Sequence, residues 1–336
     1  MTYLMKTSAA CSIGVVLAAM VAVPAELGAE TFRLGLTNNP GDPAFEGATR
    51  LAEKVLEATD GRVEIRVFGN GELGNNQQLF SQVSSGAIEM AVVPFGVLAD
   101  VVPEYTATLG GYFYDDWSEL KSVLDADELG VSWNQRLVDT AGLQVLGIWF
   151  QGARHVTTTD RELRSPADFE GIKLRAVPNP ISLATIRGLG ANPTPVPFPE
   201  LFGALRQGIV DGQENPVGTI HSARLYEVQK NLILTGHQLQ ALPWLVNSRS
   251  WSGMTEDDRA TIAAVAGEVA EWTSNYTIDL EGSLVAELEA KGMNIVRLSE
   301  EEHAAFRDAV QAETREEFDG KIWPEGLIDA ILTMTE

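Results

Sequence analysis

The sequence contains almost no cysteine and little histidine, which excludes several kinds of site. Cys11 is the single cysteine among 336 residues, and it lies in an N-terminal segment that we expect to be cleaved off. The mature chain would then have no disulfide and no thiol nucleophile. The four histidines, at positions 155, 221, 237 and 303, are too dispersed for a zinc motif, and no nucleophile elbow, phosphate loop or dinucleotide glycine motif occurs. We therefore predict no metal, no cofactor and no enzymatic activity.

Positive charge is also scarce. Lysine and arginine number 24 against 47 aspartate and glutamate residues, which gives a formal net charge of −23. Such a surface repels phosphate backbones and anionic lipids, so nucleic acid and an anionic membrane surface are not expected partners. An anionic ligand would need a positive potential confined to its own site.

Long hydrophobic runs are absent except near the N-terminus. Lys6 precedes an uninterrupted apolar run at 13–23, and small residues follow up to Ala29. A basic start, a short apolar run and small residues describe a secretory signal, and the run is too short to span a bilayer. We predict that residues 1–29 are a signal peptide, with cleavage after Ala25 as the alternative. The mature protein would be exported, and a bacterial periplasm fits.

Strand and helix patterns alternate along the rest of the chain. This rhythm is typical of an α/β sheet, and it restarts after Gly152, which predicts a second α/β lobe joined to the first by short, hinge-like crossings. Among other elements, the pattern predicts a helix at 117–139 and strands at 143–150, 155–159, 172–176 and 209–211.

One long helix is predicted at 255–291. Thr255 is a plausible N-cap, acidic residues follow it in the first turn, and apolar residues recur every three or four positions. At 1.5 Å per residue the helix would be about 55 Å long, longer than one lobe, so it should brace two lobes. A coiled coil is the alternative.

Arg175 is the first candidate binding residue. It lies at the carboxyl end of the strand 172–176, before a proline turn, and ligands of open α/β sheets bind at that edge. A guanidinium there can hold a carboxylate through two parallel hydrogen bonds. The alternative is a surface arginine in a local ion pair.

Three further residues are candidates for ligand binding, and each also has a purely structural interpretation. Asn215 follows a short apolar segment and precedes Pro216, so it could bind a ligand or cap a helix. Phe198 is fixed in a proline-rich segment, where it could face a ligand or fill the core. Arg154 lies near the predicted crossing between lobes, where it could equally be a surface loop residue.

Six short segments follow one another along the chain in a distinctive order: 60–63 (DGRV), 71–74 (GELG), 86–93 (GAIEMAVV), 171–175 (GIKLR), 193–201 (PTPVPFPEL) and 210–216 (VDGQENP). In this order and spacing they resemble the solute-binding proteins of TRAP transporters, the DctP-like family. The resemblance covers essentially the whole mature chain.

This resemblance implies roles for individual residues. Arg175 would pair with the ligand carboxylate, Asn215 would hydrogen-bond the same group, Arg154 would be a second arginine at the ligand, and Phe198 would pack against it. Asn215 stands where the metal-using branch of the family commonly has tryptophan, which argues against a metal. The first-lobe matches are Thr37, Glu72 and Asn75, and further polar candidates are Gln151 and His237.

The resulting expectation is a periplasmic receptor that closes two lobes around a small organic acid, such as a sugar acid or a C4-dicarboxylate. It would act as a monomer and deliver the acid to the membrane permease of a TRAP system. The first lobe would comprise 30–152 plus 240–280, and the second 153–239 plus 281–336. The alternatives are a binding protein of an ABC transporter, a periplasmic enzyme using Glu72, Glu214 or His237 as acid or base, and a sensory partner without transport.

Overall fold

The computed structural model describes residues 29–335. Residues 1–28 of the predicted signal peptide lie outside the described residues. Within the described range, no helix is both long and apolar enough to cross a membrane.

The strands form one mixed sheet. They are β1 (Glu30–Gly35), β2 (Val63–Phe68), β3 (Met90–Val92), β4 (Leu143–Thr158), β5 (Lys173–Ala176), β6 (Asn192–Pro195), β7 (Gly212–Pro216), β8 (Asn231–Asn247) and β9 (Asn294–Val296). The order across the sheet is β2-β1-β3-β8-β4-β7-β5-β6, and β9 pairs with β8. In the first lobe β1 pairs in parallel with both β2 and β3, and in the second lobe β5 pairs in parallel with both β6 and β7. This arrangement confirms the predicted two-lobed α/β fold.

Helices cover the sheet. They are α1 (Pro43–Ala58), α2 (Asn76–Ser85), α3 (Trp117–Asp125), α4 (Ser132–Ala141), α5 (Pro180–Gly188), α6 (Leu201–Arg206), α7 (Val217–Ser222), α8 (Ser248–Gly253), α9 (Glu256–Ala290), α10 (Glu300–Phe318) and α11 (Leu327–Thr335). The single helix predicted at 117–139 is wrong. Ala126 leaves the helical region with ψ 131°, and a π-helical turn, Asp127–Val131, separates α3 from α4.

Two long antiparallel strands, β4 and β8, run through both lobes. The separate strands predicted at 143–150 and 155–159 are one strand, β4, whose pairing with β8 is irregular between Phe150 and Gly152 and between Arg154 and Val156. Gly152 has φ +115°, and a Cβ there would lie 3.3 Å from the Pro216 Cβ. Bulges of this kind bend a strand and re-aim its side chains, so the irregularities orient Arg154.

The strand predicted at 209–211 is displaced along the chain. The observed strand β7 starts at Gly212 and contains the polar residues that the sequence pattern placed after it. It pairs with β4 from Gly212 to Pro216, and all five of its residues are buried. The prediction from apolar residues misplaced this strand because the polar side chains of β7 are buried and form hydrogen bonds with one another and with β4.

The predicted long helix is confirmed as α9. Thr255 caps it by accepting a hydrogen bond from the Asp258 N–H, and its 35 residues give a length of about 52 Å. Val269 packs in a first-lobe core, whereas Leu288 packs in a second-lobe core. The Phe150 N–H donates to the Ser274 hydroxyl at 3.1 Å. The helix therefore braces both lobes and the crossing strand, rather than forming a coiled coil.

The proposed lobe boundaries stay a prediction, with one amendment at the C-terminus. Phe318, Trp323 and Leu327 pack in the same apolar cluster as Phe113 of the first lobe. The Trp323 indole N–H also donates to the Thr106 hydroxyl at 2.8 Å. The chain from about residue 318 onward thus returns to the first lobe, contrary to its assignment within 281–336.

Candidate ligand-binding cleft

A small polar cleft lies between the lobes where β4 and β8 cross. Its walls combine two arginines with amides, hydroxyls and a few apolar side chains. The lining residues are Thr37, Asn38, Asn76, Pro94 and Leu109 from the first lobe, Gln151, Arg154, Gln240 and Leu242 from the crossing strands, and Arg175, Val177, Asn179, Ser182, Phe198, Asn215 and Thr219 from the second lobe.

Arg175 lies at the carboxyl end of β5, as the sequence predicted, and is only 1% exposed. Its Nε donates to the Val196 carbonyl at 2.8 Å, which fixes the plane of the guanidinium. Its NH1 is buried and has no hydrogen-bond partner among the described residues. Burial lowers the pKa of Arg175 to about 10, so it stays protonated at neutral pH. The surface ion pair considered as the alternative is therefore excluded.

Arg154 also lines the cleft, but its charge is already paired. Its Nε and NH2 donate to the two carboxylate oxygens of Glu214, the NH2 contact measuring 2.8 Å. Its NH1 donates to Gln240 at 3.0 Å, and its NH2 also donates to the Glu214 carbonyl and to Asn215. The side chain is 5% exposed, so Arg154 is not a surface loop residue.

Glu214 is ionised in spite of its burial. Burial alone would raise its pKa, but Arg154 and His237 outweigh that effect and lower the pKa of Glu214 to about 2. The His237 Nε2 lies 3.4 Å from a Glu214 carboxylate oxygen, and its Nδ1 is 2.8 Å from the Thr235 hydroxyl. Burial lowers the pKa of His237, so the ring is neutral at neutral pH.

Asn215 does not cap a helix. The first turn of α7 has no side-chain cap, and the Asn215 amide instead donates to the Gln213 side chain while its oxygen accepts from Arg154. Gln213 in turn donates to the Thr157 hydroxyl at 2.9 Å. A chain of side-chain hydrogen bonds therefore fixes Asn215 at the cleft wall.

A second buried carboxylate, Asp42, lies behind the cleft wall. It caps α1 by accepting from the Ala44 N–H at 2.9 Å, and it accepts a 2.7 Å hydrogen bond from the Thr219 hydroxyl of the second lobe. The Gln151 amide donates to Thr219 at 3.0 Å and to Asp42 at 3.4 Å. Burial raises the pKa of Asp42, although these hydrogen bonds and one from Asn38 oppose the shift. This network joins the two lobes beside the crossing strands.

The first-lobe wall is neutral. The Thr37 hydroxyl donates to the Asn76 side-chain oxygen at 3.1 Å. Asn75 caps α2 by accepting from the Gln78 N–H at 3.0 Å, and it lines an outer extension of the cleft, about 120 Å³ in volume. Phe198 lines both parts and is half-buried, so it is not simply a core residue.

Two predicted site residues do not reach the cleft. Glu72 is exposed on the loop between β2 and α2 and lines a separate surface depression with Gly71 and Gly74. His237 is fully buried and contacts Glu214 from behind the wall. Neither side chain lines the cleft in this structure, so the ligand contacts predicted for these two residues have no geometric support here and stay predictions. Glu72 belongs to an exposed turn whose surface depression includes neither arginine of the cleft, and His237 is fully buried.

The remaining predicted residues lie together at the cleft: Arg175, Asn215, Arg154, Phe198, Gln151 and Thr37 line its inner part, and Asn75 lines its outer part. The sequence reasoning missed other lining residues, namely Asn38, Asn76, Asn179, Ser182, Thr219 and Gln240. Of these, Asn76 adjoins a predicted residue, and Asn179 caps α5 by accepting from the Ser182 N–H. A cap signal was thus available for Asn179, whereas the others follow no local pattern.

A larger groove of about 760 Å³ lies elsewhere, between α3, α4 and α9. Its charged residues, Lys121, Asp125 and Glu271, are all exposed at the rim. It contains none of the buried charges that distinguish the cleft, so the cleft is the candidate site.

Comparison with known proteins identifies one family of solute-binding proteins. The family model described as bacterial extracellular solute-binding protein, family 7, matches residues 34–321. An uncharacterized protein y4mM of Sinorhizobium fredii is 31% identical over 85% of this chain, and the match spans 52% of that protein. The sialic acid-binding periplasmic protein SiaP of Vibrio cholerae is 28% identical over 88% of this chain and 90% of its own length.

Solved structures are similar over nearly their whole length. The sugar acid binding protein DctPAm of Advenella mimigardefordensis, in complex with galactonate, has a TM-score of 0.87 at 29% identity and covers 92% of this chain and 99% of its own. A TRAP periplasmic solute-binding protein of Sulfurospirillum deleyianum with bound succinate has a TM-score of 0.85 at 26% identity and covers 90% and 98%. The chain therefore belongs to the DctP family of extracytoplasmic solute-binding proteins, the receptors of TRAP transporters.

Proposed function

We propose that this protein captures a small organic acid by pairing its carboxylate with Arg175 and then closing the two lobes around it. The observation that carries the proposal is the Arg175 guanidinium, which is buried in the cleft with no carboxylate partner within 4 Å among the described residues and with its NH1 unbonded. Burying a cation is energetically unfavourable unless an anion forms an ion pair with it. A ligand carboxylate can accept two parallel hydrogen bonds from a guanidinium.

The other cleft residues would serve this contact in different ways. Asn215 would donate its amide to the ligand carboxylate, and Phe198 would cover the ligand's apolar side. Thr37, Asn75 and Gln151 would contribute polar contacts, Thr37 acting through Asn76. Arg154 would act mainly by holding Glu214 and Asn215 in place, because its donors are already engaged.

Relatives support an acid as the ligand. SiaP is a sialic acid-binding protein, and the similar structures hold galactonate or succinate. All three ligands carry a carboxylate. We extend this ligand class to the present chain, and we propose that the loaded receptor, a periplasmic monomer, delivers the acid to the permease of a TRAP system.

A thermal-shift screen with an organic-acid library would test the proposal. A ligand at 100 times its Kd stabilises the native state by about 2.7 kcal/mol, which gives a measurable rise in melting temperature. X-ray scattering with the best ligand should then show a smaller radius of gyration than without it. The acid should be recovered chemically unchanged after prolonged incubation, because a receptor binds without turnover.

The screen can also contradict the proposal. Stabilisation by neutral sugars or amines but by no carboxylate would exclude the Arg175 pairing. Conversion of the acid would favour the enzyme alternative, and an unchanged radius of gyration at saturation would exclude closure.

A further inference from the structure

We infer that the ligand of this cleft is a singly charged polyhydroxy carboxylate, such as a sugar acid, and that dicarboxylates are excluded. This inference rests on the proposed function, because it takes Arg175 as the partner of a ligand carboxylate. It goes further by using the balance of buried charges to decide between ligand classes that the family resemblance leaves open.

The charged groups at the cleft leave one positive charge unbalanced. Arg154 and Glu214 form a buried ion pair with two contacts between guanidinium and carboxylate, so their charges cancel. His237 behind them is neutral at neutral pH. Arg175 has no carboxylate within 4 Å in the described part of the chain and is therefore the one cation left to bind an anion. A single carboxylate completes the site.

A second carboxylate would find no counter-ion. Apart from Arg154 and Arg175, no lysine, arginine or histidine lines the cleft or its outer extension within the described residues. Asp42 lies directly behind Gln151 and Thr219, and any ionised fraction of it would repel a second anion. The N-terminus of α2 offers at most about half a positive charge. A second charge on the ligand would therefore be buried unpaired, which is strongly unfavourable.

The neutral wall is instead suited to hydroxyl groups. The Asn76 oxygen accepts from Thr37, so its NH2 group is left to donate. Asn38 lines the same wall, and its side-chain oxygen can accept a hydrogen bond. A hydroxyl both donates and accepts, whereas an ionised carboxylate only accepts. The pairing of one donor and one acceptor on this wall therefore favours a ligand that carries hydroxyls away from its carboxylate.

The test compares acids that differ only at one end of the carbon chain. Purified, ligand-free protein is titrated calorimetrically with galactonate and with galactarate, and with threonate and tartrate. In each pair the second acid replaces a terminal hydroxymethyl group by a carboxylate. We expect the diacid to bind at least ~30-fold more weakly than its monoacid, as is typical for a buried charge without a partner.

The outcomes separate this inference from the proposed function. A diacid that binds as tightly as its monoacid, or more tightly, overturns the inference but leaves carboxylate capture intact. If a wider panel of monoacids and diacids gives no binding at all, the proposed function itself fails.

The variant Glu214→Gln tests the charge balance directly. It removes the partner of Arg154 and gives the cleft a second unbalanced cation, so the affinity for diacid relative to monoacid should rise by ~10-fold or more. Glu289→Gln, at an exposed acid near the end of α9 and outside the cleft, is the matched control and should leave the ratio unchanged. A folded Glu214→Gln protein with the original ratio would overturn the charge argument. If this variant does not fold, the titrations of the unmodified protein with monoacids and diacids still test whether dicarboxylates are excluded.

Discussion

The two lobes contribute different chemistry to the cleft. The second lobe, with β4, supplies the buried guanidinium groups of Arg154 and Arg175, which strands β4 and β5 hold rigidly. Among the described residues, every first-lobe side chain that lines the inner cleft is neutral, and the polar ones are Thr37, Asn38 and Asn76. The charged wall can anchor any carboxylate, whereas the neutral wall can distinguish one acid from another. Anchoring and discrimination should therefore respond separately to substitution.

The largest expected effect is on stability, from Arg154→Ala. Removing this guanidinium leaves the Glu214 carboxylate buried without its partner, which typically costs about 3–5 kcal/mol in unfolding free energy. Urea denaturation measures the loss. The control is Lys230→Ala, which breaks an exposed ion pair with Asp160 and should cost no more than about 1 kcal/mol. Equal losses in both variants would refute the structural role given to Arg154.

The next largest effect is on binding, from Arg175→Ala. Losing one partner of a buried charge pair typically costs about 2–5 kcal/mol, or roughly 30- to 4,000-fold in Kd. Arg175→Lys should also bind poorly, because an ammonium group cannot present two parallel donors. Calorimetry measures both, and Lys173→Ala on the exposed part of β5 is the control. Near-normal affinity in Arg175→Ala would show that the ligand is anchored elsewhere.

The sequence predicted well those features that depend on local pattern. The periodicity and cap of α9 gave its bounds within one residue, and the position of Arg175 before a proline turn placed it at the sheet edge. The alternation of strands and helices gave the fold class. In each case the signal lies within one contiguous segment.

Other features depend on how distant segments align. The Arg154–Glu214 pair joins residues 60 positions apart and forms only because β4 and β7 pair in this register. The contribution of Asn38 and Asn76 to the cleft depends on how the lobes face each other. Neither the ion pair nor this alignment leaves a periodic or spaced pattern in the sequence. A free second arginine was therefore expected, and Asn38 and Asn76 were missed although Thr37 on the same wall was predicted.

Acid titration should sharpen the contrast between the charged wall and the rest of the molecule. The folded-state pKa of Glu214 is about 2 against an ordinary value of 4.5. Its ion pair therefore contributes stability that is fully present above about pH 4.5 and is lost as the pH falls through 2. Subtracting the unfolding free energy of Glu214→Gln from that of the unmodified protein isolates this contribution. A difference that stays constant from pH 6 to pH 2 would contradict it.

A smaller effect is expected where the lobes meet, at Thr219. Thr219→Val keeps the shape of the side chain but removes the hydroxyl that donates to Asp42 at 2.7 Å. Leaving a buried acceptor short of a donor typically costs about 1–3 kcal/mol, readable by urea denaturation. Thr219→Ser retains the hydroxyl and should recover most of the loss. Equal stabilities of the valine and serine variants would mean that this hydrogen bond contributes nothing.

The smallest effect should come from the neutral wall, at Asn76. Asn76→Ala removes one neutral hydrogen bond to a ligand hydroxyl, worth about 0.5–1.5 kcal/mol, or roughly 2- to 12-fold in Kd. The neighbouring change Asn75→Ala instead removes the cap of α2 and should lower unfolding free energy by about 0.5–2 kcal/mol, with less effect on Kd. Calorimetry measures the Kd of both variants, and denaturation measures their unfolding free energy. Together they separate a loss of ligand contact from a loss of helix stability. If Asn76 discriminates between ligands, as we infer, its loss should weaken binding of polyhydroxy acids while leaving a simple unsubstituted monocarboxylate almost unaffected. Equal weakening of both kinds of acid would mean that the first lobe, like the second, contributes to holding the carboxylate itself.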